Sequence, residues 1–293
     1  MWAAKPEFGD VNEDGYIGRS ISVERNPGLK RILFLGDSCT AGMGYYPDRI
    51  IKLFREQYGA EVESLIAAVG GYSTYQGLEF MKESLKYKPD ILVSYFGWND
   101  HWLAIGGLPD NLFKELTESQ IFIHNTFSKL RTYQLLHFMI YPPKKYSLGN
   151  NASSKISSEE ISQLTRVPEN FYISNVKEMI KVAAENNIKI YFIAPPMGLH
   201  ITEISKDFLI PTHLIPQIHN YYLGILKQVV AEYPAAHLLN FEDVVFDKTL
   251  MMADGIHLTA KGHTLIAERV VKKLIAAQGL EFQVQQSAIT GDG

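Results

Sequence analysis

The sequence predicts an α/β fold in which a central parallel sheet carries helices on both faces. Two observations predict it. Four or five short apolar runs of strand length alternate with amphipathic helical patterns. Polar, glycine-containing turns follow the first three of those runs, at the ends where an open parallel sheet gathers its ligand-binding loops.

Each element has its own justification. Arg31 to Leu35 (RILFL) reads as the first strand and ends in the sharp turn Gly36-Asp37-Ser38. Residues 47–58 place Ile50, Ile51, Leu53, Phe54 and Tyr58 along one helical face, with Pro47 near the start and Gly59 just past the end. Val62 to Ala67, Ile91 to Phe96, Ile188 to Ala194 and His237 to Asn240 read as the second to fifth strands, each preceded by a helix candidate. The last helix starts near Thr259, a good N-cap, and carries Ile266, Val270, Val271, Leu274 and Ile275 on one side.

Between Asp100 and about Arg166 the pattern breaks down, with Gly106-Gly107, Pro142-Pro143 and a Ser/Asn-rich stretch at 147–158. A helix near 111–141 is expected inside it. The expected organisation is an N-terminal extension over 1–28 packing on the domain, one domain over 29–280 with an insertion at 101–166, and a tail at 281–293. The insertion is read as a candidate lid or equally as a surface excursion with no role in binding.

Length and composition suit a globular protein of one large domain or of two small ones: 293 residues, 46% hydrophobic and 20% charged. The net charge is -4, from 28 basic and 32 acidic residues, and no run of like charges marks a nucleic-acid arm, so nucleic acid is not an expected partner. A single cysteine, Cys39, excludes an internal disulfide framework. No apolar run reaches signal-peptide length in the first 30 residues, and none reaches about 20 residues elsewhere. The expectation is a soluble chain with no transmembrane segment, either cytoplasmic or exported after loss of a leader or anchor. Oligomeric state is left open.

Four loops carry groups suited to acyl transfer: Gly36-Asp37-Ser38-Cys39-Thr40, Gly70-Gly71-Tyr72-Ser73-Thr74, Gly97-Trp98-Asn99-Asp100 and Asp254-Gly255-Ile256-His257. A serine hydroxyl is a poor nucleophile at neutral pH and needs a base beside it, for which histidine suits. Ser38 and His257 are the candidates, and Asp254, three residues before the histidine, is placed to hold its Nδ1. A tetrahedral intermediate also needs hydrogen-bond donors, each contributing about 2.7 to 4 kcal/mol. The backbone N–H of Ser38, the N–H of Gly71 and the side-chain amide of Asn99 are the candidates, with Gly70 as the alternative glycine.

GDS at 36–38, the glycine loop after the second strand, GWND at 97–100 and DGIH at 254–257 together resemble the four blocks of the SGNH (GDSL) hydrolase family, in order and spacing. The resemblance runs from VNEDGYIGR near the N-terminus through RVPENFYISN and FIAPP to HLTAKGH, about residues 11–275. It implies a flavodoxin-like three-layer α/β/α sandwich with about five parallel strands, a Ser38-His257-Asp254 triad, an oxyanion hole from Ser38, Gly71 and Asn99, and a structural role for Asp37. One departure is visible: family members often carry an Asn and a Gly in the second block where this chain has Ile66 and Ala68. Relatives with the same N-terminal pattern often follow a membrane anchor, so the resemblance hints at export, and the compartment is left open.

The expected function is a serine esterase acting through an acyl-serine intermediate on a small-molecule or carbohydrate ester, with short acyl groups such as acetyl favoured. The alternatives are a glycan O-acyltransferase on the same residues and, less favoured because every catalytic position is filled, a non-catalytic carbohydrate-binding module. Trp98, Tyr72 and Arg166 are the candidate substrate-binding residues: two aromatics that could stack on a sugar or line an acyl pocket, and a guanidinium that could reach a carboxylate or phosphate or else sit in a plain salt bridge. No metal is expected, since neither HExxH nor a Cys/His pair occurs. No cofactor is expected, since neither a Rossmann nor a P-loop glycine pattern follows the first strand. The absence of G-x-S-x-G argues against an α/β-hydrolase lipase.

Overall fold

The computed structural model describes residues 10–102, 109–112, 126–127, 130, 157–201 and 212–278. The region around 111–141 where a helix is expected and the tail at 281–293 therefore fall wholly or largely outside the described residues, as does most of the candidate lid.

Five parallel strands form one sheet in the order β2-β1-β3-β4-β5. They are β1 (Lys30–Gly36), β2 (Val62–Ala68), β3 (Ile91–Tyr95), β4 (Lys189–Ile193) and β5 (Ala236–Leu239), each within two residues of the span its apolar run predicts. Central strands of a parallel sheet are covered on both faces and therefore read as continuous apolar runs. Ile32, Leu33, Phe34 and Leu35 of β1 are fully buried, as are Leu92 and Val93 beside them in β3.

The helices are α1 (Tyr46–Tyr58), α2 (Thr74–Ser84), α3 (Ser158–Leu164), α4 (Glu169–Glu185), α5 (Ile215–Ala231) and α6 (Ala260–Gln278). α1 packs on α6, while α2 packs on α4 and α4 on α5, giving the three-layer α/β/α sandwich that the sequence predicts. Thr259 caps α6: its Oγ1 accepts from Gly262 N–H at 3.2 Å.

The N-terminal segment covers the outer strand. Ile17 bridges antiparallel to Ile66 of β2, and the Tyr16 hydroxyl meets Ser84 Oγ at 3.0 Å. An uncovered strand edge would expose a row of unpaired backbone groups, and this contact shields part of it.

The strand order fixes where a ligand can sit. From β1 the chain moves outward to β2 and then crosses back to β3, so the strand order reverses beside β1. Loops diverge at such a reversal and leave a crevice at the carboxyl ends of the strands. The three loops that follow β2, β1 and β3 lie side by side there, bringing Gly71, Ser38 and Asn99 to one edge.

Candidate active site

Ser38 stands at the carboxyl end of β1 because the chain turns sharply after Gly36. Asp37 builds the turn: its Oδ1 accepts from Cys39 N–H at 2.9 Å, and its carbonyl oxygen accepts from Thr40 and Ala41 N–H at 2.9 Å each. Gly36 is required by space, since a Cβ there would lie 2.1 Å from Thr40 Oγ1 and 3.0 Å from the Tyr95 carbonyl oxygen. The turn leaves Ser38 half-buried, and its N–H donates to no acceptor among the described residues.

The loop ahead of α6 supplies the groups that face this serine. Asp254 Oδ1 accepts from the N–H of Ile256 and of His257 at 2.9 Å each, which fixes the carboxylate against its own turn. Its other oxygen, Oδ2, accepts from His257 Nδ1 at 2.6 Å. With Nδ1 donating, Nε2 is the free acceptor, and it lies 2.9 Å from Ser38 Oγ. Burial pushes the Asp254 carboxyl up, but the two backbone N–H groups and the imidazole outweigh it, and the net direction is below the ordinary carboxylate value.

The glycine loop after β2 is a turn closed by Tyr72 N–H on the Val69 carbonyl oxygen at 3.1 Å. Gly71, its third residue, has φ 86°, the backbone sign that a type II turn demands there. A Cβ at Gly71 would meet nothing within 4 Å. Glycine is thus set by backbone conformation at this position, not by the close approach of a neighbour. The turn's own bond does not use the Gly71 N–H, which has no backbone acceptor among the described residues. Gly70, the alternative, borders the serine: a Cβ there would lie 3.7 Å from that of Ser38.

Asn99 follows β3 and donates from Nδ2 to Asp37 Oδ2 at 2.9 Å. The next residue, Asp100, is fully buried and reaches across to the start of α2, where its Oδ1 accepts from Thr74 N–H at 2.9 Å and from Thr74 Oγ1 at 2.5 Å. Burial raises both acids, Asp37 to about 6 and Asp100 to about 7.

The residues expected to bind substrate are placed otherwise. Trp98 is 1% exposed and stacks on His219 of α5, with ring centroids 4.3 Å apart. Tyr72 is 7% exposed and packs edge-on against Phe80. Both rings belong to the core beneath the loops, as do their polar neighbours Ser73 and Asp100, while Gly71 is exposed and Asn99 half-buried. Arg166 is committed to protein partners: Nη2 donates to Asp110 Oδ2 at 2.8 Å and Nη1 to the Gly71 carbonyl oxygen at 2.9 Å. The salt bridge was one of its two sequence readings; the bond to Gly71 and the partner Asp110 had no sequence signal, since Asp110 lies where periodicity fails. Cys39 is fully buried, and burial pushes its thiol well above the ordinary value. Among the described residues, no group of three His, Cys, Asp or Glu side chains could hold a metal ion, and no helix is long and apolar enough to cross a membrane.

Comparison with known proteins gives the family. Residues 34–265 match the model of the GDSL-like lipase/acylhydrolase family, a span that contains all four loops described above. No curated protein sequence matches the chain. Among solved structures, a lipase/acylhydrolase from Enterococcus faecalis is 17% identical, with 85% of this chain and 97% of that one covered at a TM-score of 0.52. An acetylxylan esterase from Geobacillus stearothermophilus is 14% identical, with coverage of 88% and 98% and a TM-score of 0.50. At these identities the structures speak for the fold, and the family match for the chemistry. The chain belongs to the GDSL-like lipase/acylhydrolase family and is a carboxylic ester hydrolase.

Proposed function

We propose that this protein is a serine esterase that cleaves carboxylic esters through an acyl-serine intermediate, with Ser38 as nucleophile, His257 as general base and acid, and Asp254 as its partner. The observation that carries the reading is the unbroken chain from Ser38 Oγ to His257 Nε2 at 2.9 Å and from His257 Nδ1 to Asp254 Oδ2 at 2.6 Å. Each contact has the direction that the chemistry needs. The carboxylate fixes the tautomer with hydrogen on Nδ1 and stabilises the imidazolium once formed.

In the first step Ser38 Oγ forms a bond to the ester carbonyl carbon while its proton passes to His257 Nε2. The carbonyl oxygen becomes an anion, which the N–H groups of Ser38 and Gly71 and the second N–H of Asn99 Nδ2 are proposed to receive. Collapse breaks the bond to the alcohol oxygen, which leaves with the proton from His257. A water then repeats the sequence on the acyl-serine, giving up its proton to His257 and releasing the acid with Ser38 restored. With Trp98 and Tyr72 turned into the core, the reading commits to the ester bond and not to a sugar.

Ser38→Ala is expected to lower turnover of p-nitrophenyl acetate about 10³-fold or more, with an unchanged circular dichroism spectrum and melting temperature. Turnover within tenfold of the parent in a folded variant would remove Ser38 as nucleophile. Acetylated sugars and acyl esters of increasing length, assayed beside it, identify the alcohol and acyl portions.

A further inference from the structure

Residue Arg166 joins the two loops that present the proposed amide donors. Its backbone belongs to the loop after β3: Arg166 N–H donates to the Trp102 carbonyl oxygen at 2.7 Å, and the next N–H, of Val167, donates to that of Asp100 at 3.0 Å. Its side chain belongs to the loop after β2, through the 2.9 Å bond from Nη1 to the Gly71 carbonyl oxygen. Arg166 therefore spans from Trp102, three residues past Asn99, to Gly71, while Val167 beside it holds Asp100, the neighbour of Asn99.

Asp110 aims the guanidinium. Its carboxylate takes Nη2 at 2.8 Å and Nε at 3.3 Å, the two-pronged geometry that fixes the plane of an arginine fork. The same Oδ2 lies 2.8 Å from Ser73 Oγ and accepts from Gln76 Nε2 at 3.2 Å, both at the start of α2 just past the glycine turn. Asp110 N–H in turn donates to the Arg166 carbonyl oxygen at 2.7 Å. The pair is nearly closed to solvent, with side chains 14% and 7% exposed. A buried ion pair of this kind is poor evidence of a contribution to stability, because desolvation offsets most of the attraction. What it supplies here is position. Two adjacent glycines give a turn many accessible conformations and no side chain to pack, so an external bond is needed to hold the loop at one distance from its neighbour.

We propose that Arg166, aimed by Asp110, is a positioning residue that sets the separation of the Gly71 and Asn99 donors and thereby the rate of the chemical step. This rests on the serine esterase reading above. It places Arg166 behind the oxyanion donors and not against the substrate. Misplacement of a reacting group by about 1 Å can cost about 10²-fold in rate, whereas substrate held by other contacts binds as before.

The test uses the full chain and two readouts, one of which needs no catalysis. Arg166→Lys keeps the charge opposite Asp110 but has no fork with which to hold Asp110 and the Gly71 oxygen together. It is expected to melt near the parent temperature, to lose kcat on p-nitrophenyl acetate about tenfold or more with KM within twofold, and to exchange the Tyr72 amide hydrogen, which closes the glycine turn, at least tenfold faster. If Arg166→Lys does not fold, the double variant Asp110→Asn/Arg166→Gln, which buries no unpaired charge, is measured the same way. A folded variant with parental kcat overturns the proposal, as does a rise in KM at unchanged kcat, which would put Arg166 on the substrate. Unchanged Tyr72 exchange overturns it too. If instead Ser38→Ala hydrolyses as fast as the parent, it is the esterase reading that has failed, and Tyr72 exchange still reports whether Arg166 holds the turn.

Discussion

The side-chain amide of Asn99 donates to the carboxylate of Asp37 at 2.9 Å, so the loop after β3 is oriented by the residue that precedes Ser38 in the loop after β1. An amide nitrogen carries two hydrogens. Asp37 takes one and so aims the other. Asp37 is itself fixed by Cys39 N–H at 2.9 Å, and both of its oxygens act as acceptors. The contact binds the proposed nucleophile and one proposed oxyanion donor into a single unit.

Asp37→Asn therefore has a defined consequence. Cys39 N–H still requires an oxygen, which leaves the new NH₂ group facing the NH₂ of Asn99. Two donors cannot pair, and Asn99 must turn its oxygen toward position 37. In the proposed mechanism this misdirects one donor while the nucleophile and base stay in place, and the loss belongs to the transition state alone. The expected result is a kcat lower by about 10- to 100-fold, within the range for loss of one donor, with KM nearly unchanged. Steady-state kinetics on p-nitrophenyl acetate decide it; a parental kcat would detach Asp37 from the orientation of Asn99.

Physical reasons separate what was legible in the sequence from what was not. All five strands stand where short apolar runs mark them, because a parallel sheet buries both faces of its inner strands and removes the polar alternation that would blur them. Ser38, Asp254 and His257 were visible as a set because each lies in a short loop directly after a strand or before a helix, where local spacing is informative. Trp98, Tyr72 and Arg166 were different. Whether a loop aromatic faces solvent or the core depends on which distant residue packs against it, and for Trp98 that is His219 on α5, with no local signal to announce it. Arg166 carried a charge that either a substrate or a partner could satisfy, and Asp110 becomes visible as that partner only once the chain has folded.

Asp100 gives a prediction about stability against pH. Its Oδ2 is buried with no hydrogen-bond partner, and burial raises its pKa from 3.8 to about 7. Between those values the unfolded chain has released the proton and the folded chain still holds it. The contribution of this group is then fully present below pH 3.8 and is lost as pH rises through about 7, with a slope of up to about 1.4 kcal/mol per pH unit. Asn at position 100 still accepts from Thr74 but has no proton to lose. His101, His219 and His263, all held below the ordinary histidine value by burial first of all, tilt the profile the other way, losing stability as pH falls, but equally in both proteins. In urea unfolding, the stability of Asp100→Asn relative to the parent should thus rise from pH 4.5 to pH 7.5. Parallel profiles would mean that Asp100 titrates alike in both states.

Two glycines in neighbouring loops should respond in opposite ways to the same substitution. At Gly36 a Cβ would lie 2.1 Å from Thr40 Oγ1 and 3.0 Å from the Tyr95 carbonyl oxygen, and also 2.6 Å from Thr40 Cβ, which no rotation of that side chain can move away. Overpacking of this kind costs typically about 1 to 3 kcal/mol or more, so Gly36→Ala should lower the melting temperature clearly. At Gly71 the space is open and only the φ of 86° resists a side chain, a strain of about 1 to 2 kcal/mol that an exposed turn can shed by shifting its backbone. Shifting is what a positioned donor cannot tolerate. Gly71→Ala should accordingly keep most of the stability and lose kcat about tenfold or more, measured by thermal unfolding beside p-nitrophenyl acetate kinetics. If Gly71→Ala instead melts as early as Gly36→Ala and keeps its turnover per folded molecule, the turn serves the fold and the oxyanion donor must be sought at Gly70.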